Sequence, residues 1–221
     1  MLNNPRSSAQ VQARVAAELA WDPRVDSADI TVTAEGGVVK LGGTVACFRQ
    51  VRQAASAAQR VYGVTSVTNH LTVRPLIAGG HEDYEVRTAV LHVLMLNTTI
   101  PPTISAEVDH GVVHLTGTAT WHWQRDEAEC VCGTVPGVLS LTDDVKLIPA
   151  PAEADIQQEI LAAWRRNARL SLDDLSVDVL HPGLVILSGT VTTWAEHDEA
   201  VTAGWSARGV MHVNDRIAVA Y

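Results

Sequence analysis

The sequence predicts an α+β protein made of three tandem αββαβ units, each a small three-stranded mixed sheet with two helices packed on one face. Three observations lead there. The segments GVVKLGGTV (37–45), GVVHLTGTA (111–119) and GLVILSGTV (183–191) recur at offsets of 74 and 72 residues. Around each of them, apolar residues run first at a helical period, then at a strand period, then at a helical period again. Stretches rich in Gly and Pro, Arg74–Gly80 and Pro149–Pro151, fall between the copies. A repeat read this way sets the domain plan before any motif is weighed: units at 9–75, 82–148 and 153–220.

Each copy opens on a helix, carried by Val11, Val15 and Leu19, then Val86, Val90 and Leu94, then Ile156, Ile160 and Trp164. A short strand follows (Ile30 and Val32; Ile104 and Ala106; Leu175, Val177 and Val179). A tight turn at Glu35-Gly36-Gly37, Asp109-His110-Gly111 or His181-Pro182-Gly183 returns the chain as a second strand. Gly43, Gly117 and Gly189 sit inside that strand, where a glycine marks a bulge or a close backbone approach.

The second helix of each copy carries a stripe of small residues at i, i+3, i+4 and i+7. These are Ala54, Ala57, Ala58 and Val61; Ala128, Val131, Cys132 and Val135; Ala200, Ala203, Gly204 and Ala207. Small side chains let the helix lie close on the sheet. Gly63, Gly137 and Gly209 are expected at the helix C-caps. The last strand is read from Val67, Asn69, Leu71 and Val73 and their counterparts.

The series of a helix, G-V-V-x-L-x-G-x-V, an aromatic, an Ala-rich helix and P-G-V-x-x-V-x-N-x-L-x-V resembles the BON domain, three copies of which would span nearly the whole chain. The second copy departs furthest, with Trp121-His122-Trp123 at the aromatic slot and Asp143-Asp144 in the last strand. The resemblance implies a non-enzymatic binding module linked to osmotic stress, with anionic phospholipid as one ligand class. One relative of the family binds potassium, which implies cation sensing as a further reading.

Composition narrows the function classes. At 47% hydrophobic and 19% charged residues the chain can bury a core and is no disordered polyelectrolyte. No apolar run reaches the roughly 18 residues that cross a bilayer. The first ten residues carry neither the basic region nor the apolar stretch of a secretory signal. The expected location is therefore the cytoplasm, or the periplasm if a signal peptide has been removed. A net charge of −9 disfavours nucleic acid and nonspecific anionic surfaces for the molecule as a whole.

That charge is unevenly spread. Residues 1–78 hold eight Lys/Arg against five Asp/Glu, residues 79–148 three against ten, and residues 149–221 five against ten. Arg49, Arg52 and Arg60, on the second helix of copy one or at its ends, form the candidate patch for a phospholipid headgroup or an acidic protein partner, with Phe48 as apolar anchor. The competing reading is that basic copy one docks on acidic copy two. Trp121, Trp123 and Trp194 share the strand-to-helix corner with Phe48 and are candidate contacts for a bilayer interface, a partner, an oligomer or a seam between copies. An interaction scaffold or chaperone-like protein is the alternative function.

Chemistry finds little support. Cys130 and Cys132 lie two apart on one helix and point about 200° away from each other, so they cannot share a tetrahedral ion. Cys132 falls on the small-residue stripe and reads as core, and Cys47 as the likelier reactive thiol of the strand-to-helix loop. His110 and His114 lie across a hairpin turn and could approach one another as a ligand pair, though solvated or edge histidines are the default reading. Neither a phosphate-cradling loop nor a nucleophile elbow is present. No catalytic residue, cofactor or metal is assigned.

Overall fold

The computed structural model describes residues 8–75, 81–148, 155–168, 170, 174–181 and 183–220. The expected linker Arg74–Gly80 lies partly outside them, at 76–80, and Pro149–Pro151 wholly so, as does Pro182 of the third turn. The first copy runs α1 (Ser8–Trp21), β1 (Ile30–Glu35), β2 (Val38–Val45), α2 (Phe48–Gln59) and β3 (Ser66–Val73). The second runs α3 (Asp83–Leu96), β4 (Ser105–Asp109), β5 (Val112–Thr116), β6 (Thr118–Ala119), α4 (His122–Cys132), β7 (Ser140–Asp143) and β8 (Lys146–Leu147). The third runs α5 (Ile156–Arg166), β9 (Leu175–His181), β10 (Leu184–Val191), α6 (Trp194–Ser206) and β11 (His212–Val219).

Each three-stranded sheet is mixed, as its connections require. A hairpin joins the first two strands antiparallel, and the second helix crosses over to a parallel third strand. The parallel register is the same in every copy: Val38 pairs with Ser66, Val112 with Ser140 and Leu184 with His212. Alternation puts Val39, Leu41 and Val45 under the helices, with Val11, Val15 and Leu19 of α1 and Ala54, Ala57 and Ala58 of α2 in the same buried cluster. Copy three builds the matching cluster from Ile156, Ile160, Trp164, Val185, Leu187 and Ala200. The Trp164 indole donates to the Ala200 carbonyl at 3.1 Å, so the largest core side chain leaves no polar atom unmet.

The strand glycines prove to be close approaches. Gly43 has φ +114°, and a Cβ there would stand 1.9 Å from the Asp29 carbonyl oxygen; Gly117 and Gly189 repeat the arrangement against Thr103 and Asp174. The turn glycines differ from expectation. α2 ends at Gln59 with Arg60 as its C-cap, and two successive turns, Val61 N–H to Ala58 and Val64 N–H to Val61, carry the chain past Gly63. Thr65 N–H then donates to the Gly37 carbonyl, tying the third strand to the first hairpin.

Copy two departs from three continuous strands. Its ladder is interrupted between β5 and β6 and between β7 and β8, although pairing resumes in register at Thr118 and Lys146. The break falls at Gly117 and at Asp143-Asp144, where the sister strands carry Asn69-His70 and Asp215-Arg216, and aspartate is depleted from strands. The chain divides into two compact units, 1–117 with 127–144 and 118–126 with 145–221. No helix among the described residues is long and apolar enough to cross a membrane.

Candidate functional site

The strand-to-helix corners gather most of the residues singled out by sequence. In copy one, Phe48 opens α2 half-buried, and the Gln50 side chain accepts from Ala46 N–H at 3.2 Å. The Arg49 backbone N–H donates to the Gly133 carbonyl at 2.9 Å, and Arg52 pairs with Glu129. Gly133 is buried: a Cβ built on it would lie 3.2 Å from Arg49 N and 3.4 Å from Phe48 Cδ1. The first corner thus rests on the C-terminal end of the second helix of copy two.

The corner of copy two makes the corresponding contact one copy further on. His122 opens α4 with its ring 3.9 Å from that of Trp205, nearly parallel at 24°, while Nδ1 lies 2.9 Å from Asp126. Thr120 and Trp121 N–H groups both donate to Gln124 Oε1 at 3.1 Å, closing the helix entry. Trp121 is half-buried, whereas Trp123 is 51% exposed.

In repeat register, Phe48, His122 and Trp194 are one position, and Gln59, Gly133 and Trp205 are another. The same pair of positions makes both junctions with different side chains: a benzyl ring over a glycine, an imidazole over an indole. Sequence reasoning missed Gly133, Glu129 and Trp205. The signal was available in the volumes at position 59/133/205, which vary far more than those of the neighbouring stripe.

In copy three, Thr193 caps α6, its Oγ1 accepting from Glu196 N–H, while Glu196 reaches back to Thr192 N–H at 2.8 Å. Trp194 is half-buried and meets the His197 ring edge-on at 4.8 Å. His197 Nε2 lies 2.8 Å from Asp215 and Nδ1 3.3 Å from Asp198. Burial opposes a charge on this imidazole, but the hydrogen bond to Asp198 and the charges of Asp215 and Asp198 outweigh it, so its pKa stands above the ordinary histidine value.

The arginines are exposed but do not form one unengaged patch. Arg52 is held by Glu129, and Arg60 by Glu18 at 3.1 Å and Asp22 at 2.8 Å. Asp22 is buried and also takes Arg24 at 2.6 Å. The hydrogen bonds from Arg24 hold its carboxyl far below the usual range against the opposing effect of burial, with Arg60 adding to them. The Arg49 side chain makes no ion pair among the described residues.

The thiols and remaining histidines separate clearly. Cys132 is fully buried, and burial with the nearby Glu129 charge pushes its pKa up to about 12; Cys130 and Cys47 are half-buried. His110 lies at the hairpin tip with φ +50° and Nδ1 2.7 Å from Asp109, and His114 sits in β5 opposite Glu107. Asp83 accepts from His110 and Gly111 N–H at 2.7 and 2.9 Å, tying α3 to the hairpin, and those two bonds lower its pKa. Asp83, Asp109 and His110 place ligand atoms within 4.8 Å of one another, two of the three residues being exposed.

A family model described as the BON domain matches residues 7–75, 83–149 and 152–221. Osmotically-inducible protein Y of Escherichia coli (strain K12) is 33% identical over 150 residues, covering 66% of this chain and 75% of that protein. Among solved structures, CdsD, a structural protein of the type III secretion system of Chlamydia trachomatis, aligns over 93% of this chain and 90% of its own at 14% identity with a TM-score of 0.26. The PrgH periplasmic domain aligns over 87% and 95% at 10% identity with a TM-score of 0.22. Likeness at those scores bears on neither fold nor function.

Proposed function

The chain belongs to the BON domain family, and we propose that it is a non-enzymatic, stress-related contact protein that binds other proteins through its strand-to-helix corners. The observation that carries this reading is the repeated junction: a corner ring seated on the end of a second helix, used by Phe48 on Gly133 and again by His122 on Trp205. A surface that twice binds a helix end inside one chain is suited to binding one elsewhere, and Trp123 offers an exposed indole at such a corner. The name of the Escherichia coli relative supports a role under osmotic stress.

The anionic-phospholipid reading keeps Arg49 and Phe48 as its basis, but Arg52 and Arg60 are engaged by carboxylates and the molecule carries −9. Two measurements separate the readings. A photo-crosslinking residue at position 123, introduced in cells exposed to osmotic upshift, should give protein adducts that the same residue at Lys40, on the open sheet face, does not. Flotation with phosphatidylglycerol and with phosphatidylcholine vesicles should leave the protein unbound to either. Flotation with the anionic vesicles alone, without adducts at 123, would replace the proposal with the lipid reading.

A further inference from the structure

Three copies make two internal junctions, and both use the same two positions. Each places the corner of one copy on the second-helix end of the next. The corner of α6 and the C-terminal half of α2 take part in neither of them. We infer that these two surfaces dock on one another between molecules, so that the chain associates head to tail with a second copy of itself. The inference rests on the protein-contact reading above and names the partner.

Charge makes this pairing favourable. α2 has no acidic residue and carries Arg49, whose side chain makes no ion pair among the described residues, with Arg52 held by Glu129 and Arg60 by Glu18 and Asp22, whereas the first six residues of α6 include Glu196, Asp198 and Glu199 and no Lys or Arg. The same contrast holds for the copies, with a basic excess in residues 1–78 and an acidic excess in 149–221. Opposed fields of this kind steer encounter and fix register. Beside Arg60 lies a shallow depression of about 410 Å³ lined by Glu18, Trp21, Asp22, Pro23 and Arg24. Trp21 is 82% exposed there, giving the receiving end an apolar surface beside the ion pairs of Arg24 and Arg60 with Asp22 and Glu18.

Register also names the positions that face one another. Arg52 and Glu129 bridge the first junction. Their counterparts across two molecules are Asp198 of one chain and Ala55 of the other, the latter half-buried on α2. Alanine gives the aspartate no partner of its own, so a charge placed at position 55 reads the contact directly. The docking is heterologous, since each chain offers one corner and one helix end, so assembly grows until it closes or continues.

Sedimentation velocity of the 221-residue chain over a range of concentrations tests this. Mass should rise above one chain with concentration and fall back in high salt. Ala55→Arg, which sets a cation opposite Asp198, should tighten association by roughly tenfold, and Ala55→Glu and Asp198→Arg should each weaken it by about as much. Combining Ala55→Glu with Asp198→Arg should restore it, which a misfolded variant could not do. A single-chain mass at every concentration overturns the inference while leaving protein adducts at position 123 to stand for the wider reading. Association indifferent to all four variants assigns it to another surface and overturns the inference equally.

Discussion

The imidazole of His122 lies over the indole of Trp205 with ring centroids 3.9 Å apart and planes 24° from parallel. The two residues belong to different copies, and the stack is the aromatic core of their junction. Such pairs contribute about 0.5–1.5 kcal/mol beyond the area they bury. A double-mutant cycle with His122→Ala and Trp205→Ala, read by urea unfolding, should return a coupling of about 1 kcal/mol. Strictly additive losses would show that the rings touch without stabilising one another.

Gly133 receives the first corner because it has no side chain. Gly133→Leu would push against Arg49 N and Phe48, both within 3.4 Å of a modest Cβ. First-turn amides of a helix have no partner inside it, so protection of the Arg49 amide reports this docking. Hydrogen exchange at Arg49 should accelerate to the rate of an open helix end in the variant. Unchanged protection would mean that the amide is shielded by something other than the junction.

Gly43→Ala should be among the most damaging single-methyl additions in the chain. The new carbon would stand 1.9 Å from the Asp29 carbonyl at a φ of +114°. Strain of both kinds should lower stability by more than about 2 kcal/mol. Gly36→Ala serves as the control, with nothing within 4 Å and a milder φ of +57°, and thermal melts of the two variants should differ accordingly.

The thiols should react in two classes. Cys47 and Cys130 are half-buried and should be modified by a thiol reagent under native conditions, while Cys132, with its pKa of about 12 and no exposed surface, should react only on unfolding. Three equivalents reacting at one rate in the native protein would place Cys132 at the surface.

His197 links stability to pH in one direction. Its folded pKa is raised, so its contribution is fully present below the ordinary histidine value of 6.5 and is lost as pH rises through the higher folded value. The melting temperature should therefore decline from mildly acidic to mildly alkaline pH, and His197→Gln should flatten that decline. An NMR titration of the His197 ring giving a midpoint at or below 6.5 would contradict the Asp198 and Asp215 contacts as its cause.

The architecture was legible because it is written three times. Helix period, strand period and the glycine at 43, 117 and 189 each recur, and a misreading in one copy is exposed by the other two. What escaped was relational. Nothing in the local pattern says that Arg52 finds Glu129 or that Arg60 reaches back to the buried Asp22, since both pairs join elements far apart in sequence. The capping role given to Gly63 also failed, because the backbone inserts two tight turns between helix end and glycine, and an x-Gly-Val triplet reads the same in either case. The broken ladder of copy two was signalled by Asp143-Asp144, though only as a departure from the sister copies.

The difference in side chains between the two junctions has a consequence for the order of the copies. If the second and third copies exchanged places, the Phe48 ring would meet the Trp205 indole where it now meets a glycine, and the Trp194 indole would be left facing Gly133. Copies descended from one ancestor begin interchangeable; these have become ordered. The succession of the three is inscribed in side-chain size at two positions eleven residues apart, so that recombination shuffling the copies would be penalised even though each retains its own fold.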